Sequence, residues 1–278
     1  MAGVVLAGGR SSRMGRPKAA LDWHGSTLLR RVTGLLQRGV DGPVLVVRAP
    51  GQSLPGLPPG IEVVDDPAEG LGPLQGLAVG LSALQGRAAS AFVCATDLPL
   101  LHPAFVRRVT RDAGAAEVVL PIVGGHRQPL AACYATSLAG AAARLVSEDR
   151  LKVGLLFDEV TVLRLDESQL RADPVLCVGD PQLSSVAGVN TIEEYEAARA
   201  LPEPEVTVEL SGVLAARGSD RGPRTLRAST LGGAAAAVDV LLDRHVLAAV
   251  NGDQASRDGE FPLVRGDLVT FMSAGAGG

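Results

Sequence analysis

Short apolar runs alternate with helix-like segments through the first part of the chain. Apolar runs predict buried strands at residues 4–7, 44–47, 61–64, 91–95 and 117–121. Apolar side chains recur at helical spacing in residues 26–38, and Ser26 is the predicted N-cap of that helix. A helix rich in small residues is predicted at 74–84, and a further helix is predicted to start within 103–111. Because the strands are apolar throughout, this alternation predicts an α/β fold with a mainly parallel sheet.

The pattern changes after a predicted helix at residues 192–200. Two prolines in residues 201–205 end that helix and indicate a linker. The following segment is predicted to hold short strands around one helix, at residues 206–210, 232–244 (the helix), 246–250 and 268–272. The polar stretch 217–227 is loop-like. We therefore predict two domains, residues 1–202 and a small α+β domain at residues 203–278.

Length, charge and cysteine content limit the possible partners. The chain has 278 residues and a net charge of −4, so it can bury two cores and has no overall positive charge to attract nucleic acid. Its three cysteines are widely spaced, which indicates neither a zinc site nor a disulfide framework. Neither a signal peptide nor an apolar run of the ~20 residues that span a membrane is evident. We expect a cytoplasmic protein that acts on small molecules and binds no membrane.

A glycine-rich segment follows the first predicted strand. Gly8 and Gly9 let backbone N–H groups approach phosphate oxygens without a Cβ in the way. Arg13 and Lys18 can neutralise a triphosphate, and Lys18 is one of only two lysines in the chain. The segment matches neither of the two commonest phosphate-binding motifs. A glycine-rich surface turn with solvated arginines is the alternative interpretation.

Carboxylates follow two other predicted strands. Asp97 comes directly after the strand at residues 91–95, where a carboxylate can bind a hard cation such as Mg²⁺ beside phosphate oxygens. The alternative is an aspartate that only forms a turn before Pro99. Asp65 and Asp66 end another strand and precede a turn at Gly72 that leads into a helix. We expect Asp66 to contact the nucleotide; the alternative is that both merely end the strand.

The segment Leu6-Ala-Gly-Gly-Arg-Ser-Ser-Arg-Met-Gly-Arg-Pro-Lys18 resembles the signature of the molybdenum cofactor guanylyltransferases, and this likeness extends over about residues 3–200. The resemblance implies a Rossmann-like nucleotidyltransferase fold and transfer of GMP from GTP to molybdopterin, with release of pyrophosphate. It also implies that Asp97, within Thr-Asp-Leu-Pro, holds Mg²⁺. Related cytidylyltransferases usually have Leu-Ala-Ala-Gly in place of Leu6-Ala-Gly-Gly9, so the pair Gly8 and Gly9 favours GTP.

Site residues follow from the same resemblance. The expected nucleotide-binding residues are Leu6, Ala7, Gly8, Gly9, Lys18, Asp66, Gly72 and Asp97, and the expected catalytic residues are Arg13, Lys18 and Asp97. Arg127 and Asn190 lie in segments that resemble the family's acceptor-side sequences, so both are expected to bind the acceptor. Asn190 could instead belong to the cap region of the helix at residues 192–200.

The end of the chain resembles the β-grasp (ubiquitin-like) sulfur carriers, namely the small subunit of molybdopterin synthase and its thiamine-pathway relative. The similarity rests on Val-Asn-Gly-Asp at residues 250–253, Val-Arg-Gly-Asp-Leu-Val at 264–269 and the terminal Gly277-Gly278. It implies a C-terminal carboxylate that an adenylating enzyme activates and that is passed as a thiocarboxylate to the large subunit of molybdopterin synthase. A tail of small residues without such chemistry is the alternative.

Two other functions remain open from the sequence. One is a different nucleotidyltransferase, which uses CTP or a sugar phosphate. The other is a sulfur carrier attached to an inactive nucleotide-binding domain. Nucleotide preference separates the first from a guanylyltransferase, and a thiocarboxylate without transferase activity would favour the second.

Overall fold

The computed structural model describes residues 1–8, 17–217, 222–255 and 257–273. The chain forms two compact units. We call the first, Met1–Leu21 with Thr27–Tyr195, the N-terminal unit, and the second, Asp22–Ser26 with Glu196–Gly278, the C-terminal unit.

Strands alternate with helices up to residue 200. The strands are β1 (Ala2–Leu6), β2 (Asp22–Trp23), β3 (Ser26–Thr27), β4 (Val44–Arg48), β5 (Ile61–Asp65), β6 (Ser90–Ala95), β7 (Val118–Val123), β8 (His126–Arg127), β9 (Ala131–Ala135) and β10 (Val162–Leu165). The helices are α1 (Leu28–Gln37), α2 (Pro73–Leu84), α3 (Pro103–Thr110), α4 (Ala139–Ser147), α5 (Glu167–Arg171), α6 (Pro174–Gly179) and α7 (Ile192–Arg199). Within the described residues, no helix combines the length and the apolar character needed to cross a bilayer.

The main sheet has the order β10-β7-β9-β6-β1-β4-β5 in the part of the chain that the structure describes. β6, β1, β4 and β5 are parallel neighbours, so their carboxyl ends meet at one edge. The predicted α/β core with a mainly parallel sheet is confirmed. The sequence did not reveal β9, which lies antiparallel between β6 and β7. A buried antiparallel strand has the same continuous apolar pattern as a parallel one.

Helix α2 lies directly against the strands that carry the site. Its buried face includes Leu74, Leu77 and Leu81. A Cβ on Gly80 would come within 2.6 Å of a methyl carbon of Val4 on β1, so the helix backbone approaches the sheet more closely than a side chain would allow. This packing fixes the N-terminus of α2 beside the ends of β1 and β4.

The predicted N-cap of α1 was wrong by one residue. Ser26 lies in β3, and the cap is Thr27, whose extended backbone lets its hydroxyl accept from the N–H of Arg30 at 3.3 Å. Serine and threonine are both good caps, so side-chain type alone could not distinguish the two positions.

The C-terminal unit contains a second, smaller sheet. Its elements after residue 200 are β11 (Glu205–Ser211), α8 (Val213–Arg217), β12 (Arg224–Arg227), α9 (Leu231–Ala237), β13 (Val246–Val250), β14 (Asp253–Ala255) and β15 (Leu268–Ser273). In the described residues the sheet order is β12-β11-β15-β13-β14. β11 and β15 are parallel, and the other neighbours are antiparallel. α9 packs on one face through Leu231, Ala234 and Ala235.

Two predictions for this unit need correction. The helix expected at residues 232–244 ends at Ala237, because Asp239 adopts a left-handed conformation (φ 55°) and the N–H of Val240 turns back to the carbonyl of Ala235. The stretch expected to be a loop at residues 217–227 contains β12, which begins and ends with arginine and therefore lacks the apolar pattern used to predict strands. An edge strand with one solvated face need not be apolar.

Candidate active site

The carboxyl ends of β1 and β6 are joined by two hydrogen bonds. The backbone N–H of Thr96 donates to the carbonyl of Leu6 at 3.2 Å, and the Thr96 hydroxyl donates to the same oxygen at 3.1 Å. The start of the glycine segment, at Ala7 and Gly8, therefore lies beside the turn that carries Asp97. Ligands of open α/β sheets bind beyond such strand ends.

Three predicted side chains meet at this point. The Lys18 ammonium nitrogen lies 3.5 Å from Oδ2 of Asp97 and donates to Oδ1 of Asn190 at 3.2 Å. The side chains of Lys18 and Asp97 are 22 % and 23 % exposed, so both remain accessible from the cleft while largely shielded from bulk water. Residues far apart in sequence thus place a cation, a carboxylate and an amide around one position.

The turn around Asp97 is fixed from two sides. Its carbonyl accepts from the backbone N–H of Val189 at 2.9 Å, which brings in the segment that holds Asn190. Arg31, a buried residue of α1, donates from Nε to the carbonyl of Pro99 at 2.7 Å. A buried guanidinium bonded to a backbone carbonyl leaves little freedom for the turn.

Burial raises the pKa of the Asp97 carboxyl above its usual value. The charge of Lys18 and its hydrogen bond act in the opposite direction, and the negative charge of Glu194 adds to the rise. A carboxylate with a raised pKa has lost favourable contacts with water in its charged form. A further cation beside it would stabilise the ionised state.

Asn190 takes part in the cap of α7 through its backbone only. The cap hydroxyl of α7 is that of Thr191, which accepts from the N–H of Glu194 at 3.2 Å. Glu194 reaches back to the N–H groups of Asn190 and Thr191, at 2.6 and 3.1 Å. This reciprocal arrangement caps the helix through backbone groups of Asn190 and leaves the Asn190 side chain to bind Lys18.

The two neighbouring aspartates at the end of β5 have different partners. Asp65 pairs with Arg48, whose Nε lies 2.6 Å from Oδ1, and this contact lowers the pKa of Asp65. Asp66 instead accepts from the N–H of Ala68 at 3.1 Å and from Nε2 of Gln75 on α2 at 3.2 Å. Asp66 therefore contacts the start of α2 through Gln75.

A turn leads into α2 beside Asp66. Gly72 has φ 76°, a left-handed conformation that favours glycine, and Pro73 occupies the first helical turn. The helix has twelve residues, and its first N–H groups have no carbonyl partners within the helix. These groups can bind an anion or a carbonyl oxygen.

A cleft of about 460 Å³ joins these features in the described residues. The predicted nucleotide-binding residues that line it are Leu6, Ala7, Gly8, Lys18, Asp66, Gly72 and Asp97. Gly9 and Arg13 lie outside the described residues, as do Gly277 and Gly278. Arg127 is exposed on β8 and is not among the residues that line the cleft.

Sequence analysis missed three polar residues that shape the site: Gln52, Gln75 and Arg31. Gln52 lines the cleft, Gln75 holds Asp66 and Arg31 holds the Asp97 turn. Arg31 lies on the buried side of an amphipathic helix, where a charged residue signals a specific internal partner. Neither glutamine belongs to a pattern that sequence spacing reveals.

The Asp97 carboxylate suits a hard cation that also binds phosphate oxygens. Among the described residues, no group of three histidine, cysteine, aspartate or glutamate side chains is placed to hold a metal. Asp97 supplies a single carboxylate to the cleft. Mg²⁺ commonly uses one or two carboxylates and completes its octahedron with water and substrate phosphates.

Comparison with known proteins identifies the relatives of this chain. Residues 3–167 match the model of the MobA-like NTP transferase domain. The chain is 43 % identical over 170 residues to a probable molybdenum cofactor guanylyltransferase of Mycobacterium bovis, a match that covers 59 % of this chain and 83 % of that protein. A probable molybdenum cofactor guanylyltransferase of Mycobacterium avium is 40 % identical over 180 residues, covering 62 % and 89 %.

A solved structure shares the fold. The molybdopterin-guanine dinucleotide biosynthesis protein A of Archaeoglobus fulgidus aligns with a TM-score of 0.58 and 21 % identity, covering 72 % of this chain and 97 % of that one. At this level of identity the likeness shows the architecture alone.

Proposed function

The chain belongs to the family of MobA-like NTP transferase domains, and from this premise we propose that it transfers GMP from GTP to molybdopterin and releases pyrophosphate. The names of its relatives in Mycobacterium bovis and Mycobacterium avium support this choice of substrates. The pair Gly8 and Gly9 also favours GTP, since related cytidylyltransferases usually have Leu-Ala-Ala-Gly in place of residues 6–9.

One observation carries the proposal. Lys18 stands between Asp97 and Asn190, at 3.5 and 3.2 Å, in a cleft that begins at Gly8. An ammonium beside a carboxylate, in the cleft that Gly8 lines, provides both a direct contact for phosphate oxygens and a ligand for their counter-ion. The second lysine of the chain, Lys152, lies far away in sequence and is not among the residues that line the cleft.

The chemistry requires positioning more than proton transfer. A phosphate monoester is largely ionised near neutral pH, because its second pKa is about 6, so it can attack without a strong base. The terminal phosphate oxygen of molybdopterin forms a bond to the α-phosphorus of GTP while the bond to the pyrophosphate oxygen breaks. Lys18, together with Arg13, stabilises the negative charge that grows on the departing pyrophosphate.

Asp97 and the phosphates would hold a magnesium ion at this position. When bound, such an ion would neutralise part of the negative charge of the phosphates. The raised pKa of Asp97 supports this assignment, since the carboxylate lacks full solvation and gains from a divalent cation. With the ion bound to Asp97, the Lys18 ammonium would contact a phosphate oxygen in place of the carboxylate.

The acceptor enters from the side of Asn190 in this proposal. The side-chain oxygen of Asn190 accepts from Lys18, and its backbone N–H is held by Glu194 in the cap of α7, so the side-chain amide can orient a polar group of the pterin substrate. Arg127, exposed on the β7–β8 hairpin, is proposed to bind the acceptor phosphate as a planar two-pronged donor.

We further propose that the second predicted domain, residues 203–278, is a β-grasp sulfur carrier. The strand order β12-β11-β15-β13-β14 supports this fold, as does α9, which connects β12 and β13 along the chain. The two sequence segments that resemble sulfur carriers also meet: Asn251 donates from Nδ2 to Oδ1 of buried Asp267 at 2.8 Å. A carrier with Gly277-Gly278 at its end would serve an earlier step toward the same cofactor.

Pyrophosphate release tests the transferase. The full chain is incubated with molybdopterin, Mg²⁺ and GTP, CTP or ATP in turn. GTP is expected to give the highest kcat/KM by at least tenfold. Preference for CTP, or release with a sugar phosphate as acceptor, would assign the chain to another nucleotidyltransferase.

Mass spectrometry of the C-terminus tests the carrier. Incubation with an adenylating enzyme, ATP and a sulfur donor is expected to add 16 Da, the replacement of one oxygen by sulfur. A thiocarboxylate with no transferase activity would favour a carrier attached to an inactive nucleotide-binding domain.

A further inference from the structure

The hydrogen-bond ladder between β1 and β4 is interrupted where the cleft begins. The strands are parallel, with Leu6 opposite Val47, and the N–H of Ala7 donates to the carbonyl of Val47 at 2.8 Å. In a regular parallel ladder, the next bond would run from the N–H of Ala49 to the carbonyl of Ala7. Each of these groups bonds to a side chain instead.

That side chain is Gln52. Its Nε2 donates to the carbonyl of Ala7 at 3.0 Å, and its Oε1 accepts from the N–H of Ala49 at 3.0 Å. The side-chain amide therefore takes the place of a backbone rung and satisfies both backbone groups that the rung would have paired. The two strand ends are therefore joined through the Gln52 amide at this position, where a regular ladder would join them directly.

A tight turn presents the amide at this position. The N–H of Gln52 bonds to the carbonyl of Ala49 at 3.0 Å, with Pro50 and Gly51 as the central residues. Gly51 has φ 68°, which fits the third position of a type II turn. Arg48 adds a bond from its guanidinium to the carbonyl of Gln52 at 3.1 Å. Both the N–H and the carbonyl of Gln52 are thus hydrogen-bonded, which fixes the position of its side chain.

The interrupted rung lies at the wall of the cleft. Ala7, Gly8, Ala49 and Gln52 all line it. A Cβ on Gly8 would stand 3.3 Å from the nitrogen of Ala49, so the two strand ends control the space at the start of the glycine segment. Ligands of open α/β sheets bind beyond the carboxyl ends of the strands, and the missing rung lies at such an end.

We propose that Gln52 is a positioning residue that sets the width of the nucleotide cleft at Gly8; this inference rests on the proposed function. Without the amide, the carbonyl of Ala7 and the N–H of Ala49 would lose their partners, and an unpaired backbone group is costly when water is scarce. The two backbone groups would then form the missing hydrogen bond with each other, which lowers the free energy of the folded protein. The rung then closes, and the space beside Gly8 narrows.

The test compares Gln52→Leu with Gln37→Leu. Gln37 is the matched control, since its Nε2 donates to the carbonyl of Pro59 at 3.0 Å, at the other end of the same loop and away from the residues that line the cleft. Binding of GTP with Mg²⁺, in the absence of an acceptor, is measured by titration calorimetry on the full chain. The KM for GTP, the KM for molybdopterin and kcat are measured separately.

Gln52→Leu is expected to raise the Kd and the KM for GTP at least tenfold, while kcat at saturation and the KM for molybdopterin change less than twofold. In Gln37→Leu, the Kd and KM for GTP, the KM for molybdopterin and kcat are all expected to equal those of the wild type. A Gln52→Leu chain whose melting temperature falls but whose GTP affinity is unchanged would overturn the inference, since the amide would then serve stability alone.

Gln52→Asn provides a second variant if the leucine variant does not fold. Its amide is one methylene too short to span both backbone groups, so it is expected to weaken GTP binding as well, and wild-type affinity in this variant would overturn the inference. A wild-type chain that binds no GTP and transfers no nucleotide would overturn the proposed function and the inference together. A wild-type chain that binds GTP while both Gln52 variants bind it equally well would overturn only the inference.

Discussion

The ammonium nitrogen of Lys18 lies 3.5 Å from Oδ2 of Asp97. The two residues follow different strands, β1 and β6, and they meet because those strands are adjacent and parallel. The pair brings a positive and a negative charge to one end of the cleft.

Removal of either charge should abolish most turnover. Lys18→Ala and Asp97→Ala are each expected to lower kcat about 10²–10³-fold, the usual cost of losing one preorganised group that stabilises transition-state charge. Pyrophosphate release with GTP and molybdopterin measures the loss. Lys152→Ala is the matched control, because it removes the only other lysine of the chain and should leave kcat unchanged. Normal turnover by both site variants would remove these two residues from the mechanism.

Asp97→Asn should make the metal-free and nucleotide-free protein more stable at neutral pH. Burial raises the folded-state pKa of Asp97, so the folded protein holds its proton more tightly than the unfolded chain does. Stability of the wild type therefore falls as pH rises from the ordinary aspartate value of 3.8 through the raised value. Asparagine does not titrate, so the variant does not lose this stability as pH rises.

Urea unfolding of both proteins in EDTA, from pH 4 to pH 8, measures that difference. The advantage of Asp97→Asn is expected to grow with pH through this window and then to level off. An advantage that shrinks as pH rises would mean that Lys18 outweighs burial and lowers the pKa of Asp97.

Two glycines in helices should respond oppositely to alanine. In Gly80→Ala the new methyl would stand 2.6 Å from a carbon of Val4, so we expect a net loss of about 1–2 kcal/mol of unfolding free energy after the gain in helix propensity is counted. Gly140 on α4 is exposed, and a Cβ added there would have no atom within 4 Å, so Gly140→Ala should gain about 0.5–1 kcal/mol. Chemical denaturation checks both. Equal effects would show that α2 does not pack closely on β1.

The three cysteines should differ in reactivity. Burial raises the pKa of the Cys94 thiol far above its usual value and that of Cys133 to about 12, whereas Cys177 on α6 is exposed. Because the thiolate is the reactive form, a disulfide reagent at pH 8 is expected to label one thiol per folded chain and three after denaturation. Peptide mapping should place the first label on Cys177. Rapid labelling of Cys94 would contradict the buried position of β6.

Sequence patterns predicted the strands that carry the site and the residues at their ends. Asp97 and the glycine segment were placed at strand ends because apolar runs stop there, and glycine or aspartate follows. The pattern could not give the strand order, since an apolar strand carries no mark of its neighbours. The approach of Asn190 to Lys18 therefore became visible only in the fold.

Side chains that replace backbone interactions are harder still to foresee. Gln52 acts as a rung of the sheet, and Arg31 holds a carbonyl in the interior. Both roles depend on the meeting of distant backbone segments. Local spacing contains no information about such a meeting, and the same residues elsewhere would be solvated surface groups.

The central claim is that this chain joins GMP to molybdopterin. Mass spectrometry of a reaction that contains the purified full-length chain, GTP, Mg²⁺ and molybdopterin tests it most directly. We predict a product with the mass of the guanine dinucleotide, formed together with an equal amount of pyrophosphate, and no such product from Asp97→Ala. The claim is contradicted if the wild-type chain binds GTP and molybdopterin and yet forms no dinucleotide.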